Sequence, residues 1–193
     1  MRHSAALSLL ATLLAAPFAL PAQAAASAAA PAAAPVAPEV GQPAPGFTAS
    51  LVDAAAGTAG PVSLAGLRGK VVVLAFYPRN RTSGCTAELT RFRDEHARLF
   101  GGEVVLLPVS ADSEASHAAW GREMKFPFGL VSDPSLALAD AYGSRTPGRA
   151  TPNRTIFVIG KDGRIAYREM KFSALSEDAY SQLALAVAAA AKQ

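Results

Sequence analysis

The 193 residues contain one cysteine, Cys85, and it stands in the polar segment FYPRNRTSGCTAE, Phe76 to Glu88. A single cysteine excludes an internal disulfide, a zinc–thiolate cluster and a CxxC redox pair. What remains is nucleophilic or redox chemistry at one sulfur. The reactive form of such a sulfur is the thiolate, which is favoured at a helix N-terminus, where unpaired amide N–H groups and the helix dipole meet it, and beside a cation. Cys85 falls where a loop runs into a helical pattern, and Arg79, Arg81 and the distant Arg154 are the candidate cations. The blander reading is a buried, inert cysteine; the polar loop and the loop–helix junction weigh against it. Neither histidine near the centre of the chain offers a second group. His96 is 11 residues beyond Cys85, about 16 Å along one helix, too far to act as its base. His117 has no carboxylate or second ligand beside it in the sequence, so it reads as a surface residue and no metal site is expected.

The elements that must position this sulfur follow from hydrophobic periodicity. Lys70 to Tyr77 (KVVVLAFY) is a continuous apolar, β-branched run, the pattern of a central strand buried on both faces. Cys85 to Phe100 reads as one helix, with Leu89, Phe92, Leu99 and Phe100 on its apolar stripe and Arg91/Glu95 and Asp94/Arg98 as ion pairs four apart. Gly101 and Gly102 stop it. Phe47 to Val52 and Pro61 to Leu64 read as short edge strands, Glu103 to Ser110 as the next buried strand, and Glu114 to Met124 as a short helix. Phe126 to Val131 reads as extended and Ser135 to Tyr142 as a helix. Arg154 to Ile159 and Gly163 to Arg168 form a hairpin across Lys161-Asp162-Gly163, and Leu175 to Ala191 is a closing Ala-rich helix. This order predicts an α/β fold with a mixed central sheet flanked by helices. Two parallel strands joined by the first long helix place that helix's N-terminus at the carboxyl end of the central strand, where such folds bind ligands.

Composition bounds the rest. The apolar fraction of 51% is inflated by alanine at the two ends of the chain. Lys+Arg 18 against Asp+Glu 15 gives a net charge of only +3, with the arginines scattered, which argues against nucleic acid as the partner. Arg2 and His3 precede an apolar run, Ala5 to Leu20, and Ala22-Gln23-Ala24 ends in the small residues a signal peptidase reads. The run is about 16 residues, short of the roughly 20 that span a bilayer. Residues 1–24 are therefore expected to be a signal peptide cleaved after Ala24, leaving a periplasmic or secreted protein that is not membrane-bound. Residues 25–40, mostly Ala and Pro, read as a flexible linker, and residues 41–193 as the folded domain.

Residues Gly41 to Phe172 resemble a peroxiredoxin, within the bacterioferritin comigratory protein or peroxiredoxin Q group. The family's signature is Pro, three residues, Thr or Ser, two residues, then the peroxidatic Cys; here it stands as Pro78, Thr82 and Cys85. Thr86 and Glu88 also match, and Asn153-Arg154-Thr155-Ile156-Phe157 fits the place of the family's remote arginine. GQPAPGFTASL, VSLAGLRGKVVVLAFYP, VSADSEASHAAW and VSDPSLALADAYG resemble the surrounding segments in order. The resemblance implies a thioredoxin-like fold and an enzyme that reduces peroxides through a cysteine sulfenic acid, with no cofactor. Ionising a thiol fully gains about thirty-fold, roughly 2 kcal/mol, at pH 7, so an efficient peroxidase also needs help in the transition state. Thr82 can hydrogen-bond the sulfur or a peroxide oxygen, and Arg154 can stabilise charge on the departing oxygen. Pro78, with no N–H and a fixed φ, suits a wall that excludes water. Glu88 can orient an arginine. The bland alternatives are a helix cap for Thr82, a strand terminator for Pro78, a surface arginine and a first-turn acid.

One departure decides the expected mechanism. Many peroxiredoxin Q proteins carry a resolving cysteine five residues after the peroxidatic one, and that position is Thr90 here. The chain therefore reads as a 1-Cys enzyme that needs an external thiol, from a thioredoxin-like protein, a glutaredoxin-like protein or a small thiol, and as a monomer or weak homodimer. Ser83 replaces the residue usual after the motif threonine, and the loop from Ser144 to Pro152 has no clear family counterpart. The non-enzymatic alternative is a thioredoxin-fold redox sensor or binding module whose cysteine reacts slowly.

Overall fold

The computed structural model describes Met1 and residues 36–193; the apolar run, the cleavage position and most of the Ala/Pro-rich linker lie outside the described residues. Twelve elements follow one another: β1 (Thr48–Asp53), β2 (Thr58–Ser63), β3 (Val71–Phe76), α1 (Ser83–Asp94), α2 (His96–Phe100), β4 (Val104–Ser110), α3 (Glu114–Met124), β5 (Leu130–Ser132), α4 (Ala137–Ala141), β6 (Thr155–Ile159), β7 (Ile165–Glu169) and α5 (Glu177–Ala191). The strands form one mixed sheet in the order β2-β1-β5-β4-β3-β6-β7. β3, β4 and β5 are parallel, and β1, β2, β6 and β7 join by antiparallel pairing.

β3 is central because every one of its residues is buried, so both sheet faces must be covered. The pleat sends Val71, Val73 and Ala75 toward α1 and α5, where Leu89, Phe92, Tyr180 and Leu183 complete one core layer. Val72, Leu74 and Phe76 point the other way, onto Leu138, Tyr142 and Phe157. Helix α3 packs closely on the β1–β2 hairpin at Gly121, where a Cβ would stand 2.5 Å from that of Ala54.

Several expectations are corrected. The single helix from Cys85 to Phe100 breaks at Glu95 (φ −110°, ψ 20°), so His96 opens a second helix rather than continuing the stripe of Cys85. The break re-pairs the charges. Arg91 and Glu95 meet at 2.9 Å as expected, but Asp94 takes Arg93 at 2.7 Å, and Arg98 turns back onto Glu95. β1 is interior, lying between β2 and β5, and of the extended stretch Phe126 to Val131 only its end joins the sheet, in β5. The domain's contacts begin before Gly41: Arg168 donates to the carbonyls of Ala37 and Pro38 and pairs with Glu39 at 2.6 Å.

His117, read from sequence as a surface residue, is fully buried. A lone histidine in a helix gives no local sign of its facing, and here α3 turns it onto a polar network at the carboxyl ends of β3 and β4. Tyr77 donates to Asn80 Oδ1 (2.8 Å), and Asn80 Nδ2 donates to Ser116 Oγ (2.9 Å) and lies 3.2 Å from His117 Nδ1. The Asn80 amide and the Ser110 hydroxyl both donate to Asp112 Oδ2, at 2.9 and 2.8 Å. With Asn80 Nδ2 as donor, His117 Nδ1 must be an unprotonated acceptor. Burial pushes the imidazole down to about 4, against the upward pull of Asp112. An unfolded histidine titrates near 6.5, so between pH 6.5 and 4 the folded state binds fewer protons than the unfolded one. Stability from this group is complete above pH 6.5 and is lost as the pH falls, by about 3 kcal/mol at the bottom of the window. Urea denaturation of the wild type and of His117→Asn, which keeps an acceptor but cannot titrate, should show this loss in the wild type only; equal slopes would contradict the assignment.

Candidate functional site

Cys85 is the third residue of α1, and its side chain is fully buried. The loop that delivers it leaves the carboxyl end of β3 at Tyr77 and is held down by Asn80 through the network just described. Burial raises the Tyr77 phenol well above the ordinary tyrosine range, which keeps it a neutral donor to Asn80.

The cation at the sulfur is Arg154. β6 lies antiparallel to β3 with Thr155 opposite Phe76, so the residue just before β6 stands beside the loop that follows β3. The Phe172 amide donates to the Arg154 carbonyl at 3.1 Å and fixes that backbone. The guanidinium then divides its fork: Nη2 lies 3.3 Å from Cys85 Sγ, and Nη1 donates to Glu88 Oε2. Glu88 is one helical turn beyond Cys85 and fully buried, and its Oε1 has no partner. A planar, permanently charged fork suits this double duty, which a lysine ammonium would not reproduce.

The other candidate cations do not reach the sulfur. Arg81, with φ +60°, turns away to pair with Glu123 at 2.9 Å, and Arg79 is exposed. Thr82 is the N-cap residue of α1, but its hydroxyl donates to the Arg79 carbonyl at 3.1 Å, without a capping hydrogen bond or one to the sulfur. Pro78 is half-buried and lines a cleft together with Arg154. His96 packs against the rings of Phe100 and Phe128. Among the described residues there is no group of three or more His, Cys, Asp or Glu side chains able to hold a metal ion.

Two contributors were missed in the sequence. Gly84 sits where a Cβ would come within 3.2 Å of Arg154 Nη2, so a larger residue would crowd the guanidinium. Asn80 ties the loop to Asp112, just after β4, and to Ser116 and His117 of α3. Neither has a periodic or spacing signal: Asn80 is buried between the exposed Arg79 and Arg81, so nothing local marks it. The assembled site is one sulfur shielded from bulk water, with a fixed cation on one side whose own charge is balanced by a buried carboxylate. Such a site can hold a thiolate and offer N–H donors to charge developing on a bound oxygen.

Residues 40–168 match the AhpC/TSA family. The chain is 36% identical over 104 residues to the chloroplastic peroxiredoxin Q of Sedum lineare, covering 53% of this chain and 56% of that one. It is 34% identical over 110 residues to peroxiredoxin Bcp of Bacillus subtilis, covering 54% and 70%. The matches thus span about half to two thirds of the length of several relatives. Among solved structures, the reduced 2-Cys peroxiredoxin of Plasmodium vivax superposes with a TM-score of 0.69 at 25% identity, covering 78% of this chain and 95% of that one. Peroxidoxin BcpB of Mycobacterium tuberculosis gives 0.66 at 27% identity, covering 79% and 97%. The family match runs from just ahead of the Gly41–Ile165 backbone pairing to the penultimate residue of β7, and with it the fold and the lineage are one conclusion: the chain belongs to the AhpC/TSA family and has a thioredoxin-like fold.

Proposed function

We propose that this protein is a thiol-dependent peroxidase that reduces hydrogen peroxide and organic hydroperoxides at Cys85. The observation that carries the reading is the Arg154 fork, one nitrogen 3.3 Å from Sγ and the other on Glu88. The Cys85 thiolate attacks one oxygen of the peroxide. An S–O bond forms as the O–O bond breaks, and the departing oxygen leaves as alkoxide or hydroxide and takes a proton to become alcohol or water. The sulfur, two electrons poorer, becomes a sulfenic acid. Arg154 is the group able to meet charge on the oxygens during this transfer, and Glu88 holds its plane. Pro78 walls the approach. Thr82, at the exposed end of the loop, exchanges its bond to the Arg79 carbonyl for one to the peroxide.

With one sulfur in the chain, the sulfenic acid is resolved by an external thiol, from a thioredoxin-like or glutaredoxin-like protein or a small molecule, and the working form is a monomer or weak homodimer. The family membership supports peroxide chemistry, and the cysteine count supports the 1-Cys route. The apolar run and the Ala22-Gln23-Ala24 pattern support export to the periplasm. The complete burial of Cys85 favours one rival, a slowly reacting redox sensor. Steady-state peroxide consumption with an artificial dithiol separates the two, because a sensor would not turn over.

Cys85→Ser should abolish peroxide reduction and leave the circular dichroism spectrum unchanged. Arg154→Met and Thr82→Val should each slow oxidation of Cys85, by about 10²–10³ fold for Arg154 if it acts as an oxyanion donor. Stopped-flow single turnovers with hydrogen peroxide measure both. Peroxidase activity surviving in Cys85→Ser would refute the mechanism.

Peroxide-treated protein at high dilution should stop after about one turnover per cysteine and carry a dimedone adduct at Cys85; excess peroxide should drive it to sulfinic acid. Repeated cycling without added thiol would sink the 1-Cys route. N-terminal sequencing of exported protein should begin at Ala25 or within a few residues; a product retaining Leu9 to Leu20 would overturn the periplasmic assignment.

A further inference from the structure

A cleft of about 500 Å³ opens beside Arg154, the residue whose guanidinium meets the sulfur, between the end of β3, the loop ahead of β6 and the turn after β7. Pro78 and Arg154 line it, Met170 and Phe172 form part of an apolar wall, and Arg149 and Lys171 add further cationic groups. No acidic side chain lines it. Arg145, in the same loop, is spent on Asp140, and its Nη1 donates to the Arg149 carbonyl at 3.3 Å, which braces the loop. Arg149 and Lys171 have no ion-pair partner among the described residues. Glu169, the acid nearest in sequence, accepts from the Lys171 amide at 2.8 Å and is not part of the lining.

The charges are therefore separated along the cleft. Beside the sulfur the Glu88 carboxylate offsets the Arg154 guanidinium, whereas Arg149 and Lys171 add two positive charges that no acidic side chain of the lining offsets. These unoffset charges favour a ligand whose carboxylate stays with Arg149 and Lys171 while its reacting group goes in. Hydrogen peroxide has no use for such a hold. The chain's second substrate does: with no other cysteine, a thiol must come from outside and reach a sulfur that has no exposed surface. A small thiol fits a cleft of this volume.

We propose that this cleft is the reductant site and that it selects a low-molecular-weight thiol carrying carboxylates, held by Arg149 and Lys171; the inference rests on the peroxidase reading. The thiolate of the first molecule attacks the sulfur of the Cys85 sulfenic acid. An S–S bond forms, the S–O bond breaks, and the hydroxide leaves with a proton as water. A second thiol attacks the mixed disulfide, releasing the Cys85 thiolate and a low-molecular-weight disulfide, so two thiols supply the two electrons that the peroxide removed.

The test oxidises the full chain with one equivalent of hydrogen peroxide and then mixes it with glutathione, whose two carboxylates are free, or with its diethyl ester, following recovery of reduced Cys85 by intact mass. After correction for thiolate fraction, the acid should react about tenfold faster than the ester at low salt, and the preference should shrink as salt is raised toward about 0.5 M. Arg149→Ala/Lys171→Ala should bring the two thiols within about twofold while oxidation of Cys85 by hydrogen peroxide stays at the wild-type rate. Equal rates for acid and ester in the wild type, or an unchanged preference in the double variant, would overturn the proposal. A parallel arm compares a carboxylate-bearing alkyl hydroperoxide with its methyl ester in the oxidation step. A charge preference there, with none in the reduction step, would assign the cleft to the peroxide and overturn the thiol assignment. Failure of hydrogen peroxide to oxidise Cys85 at all would instead overturn the peroxidase reading, and the inference with it.

Discussion

The structure around Cys85 depends on one guanidinium shared between a sulfur and a carboxylate. Arg154 reaches both because three independent placements coincide. β6 is registered against β3 so that the residue before Thr155 stands beside the loop after Phe76. α1 carries Cys85 and Glu88 one turn apart on the same face. Gly84 leaves the space that a Cβ would take from Nη2. Removing one partner of a buried ion pair generally costs about 3–5 kcal/mol, because the remaining charge is stranded. Glu88 and Arg154 therefore constrain each other, and the sulfur inherits a cation whose direction is fixed before any substrate arrives.

A second constraint keeps the loop from Tyr77 to Thr82 in one conformation. Asn80 is nearly fully buried, and its side chain is occupied on both ends, accepting from Tyr77 and donating toward Ser116 and His117. A buried amide used this fully is specific, since any other loop position would leave buried donors or acceptors unmade. The loop thus has two anchors, a polar one on the α3 side and the Arg154 fork on the β6 side. Between them Cys85 is shut off from bulk water, and a cleft bordered by Pro78 and Arg154 lies on the far side of the guanidinium fork.

A lone sulfur sets different demands on the two halves of a peroxidase cycle. Oxidation needs a small, uncharged molecule beside the Arg154 guanidinium, whose own charge Glu88 balances. Regeneration needs a second sulfur that the chain does not contain. The loop from Ser144 to Pro152 carries none of the family's motif residues, yet it supplies Arg149 and, through Arg145 bound to Asp140, the stiffness that keeps that residue at the cleft.

The amino-acid sequence alone determined the parts that are local. The apolar run of β3, the loop–helix junction at Cys85, the bounds of α3 and the β6–β7 hairpin are all written in periodicity and turn residues within a dozen positions, and the count of one cysteine needs no structure at all. Tertiary structure decided what depends on distance. It chose Arg154, 69 positions from Cys85, over the nearer Arg79 and Arg81. It turned His117 inward, broke the helix at Glu95, and left the Thr82 hydroxyl on the Arg79 carbonyl. The physical reason is the same in each case. Residue spacing specifies which side chains share a face of one element, whereas the partner across a sheet or between layers is set by strand register and packing, which no short window of sequence contains.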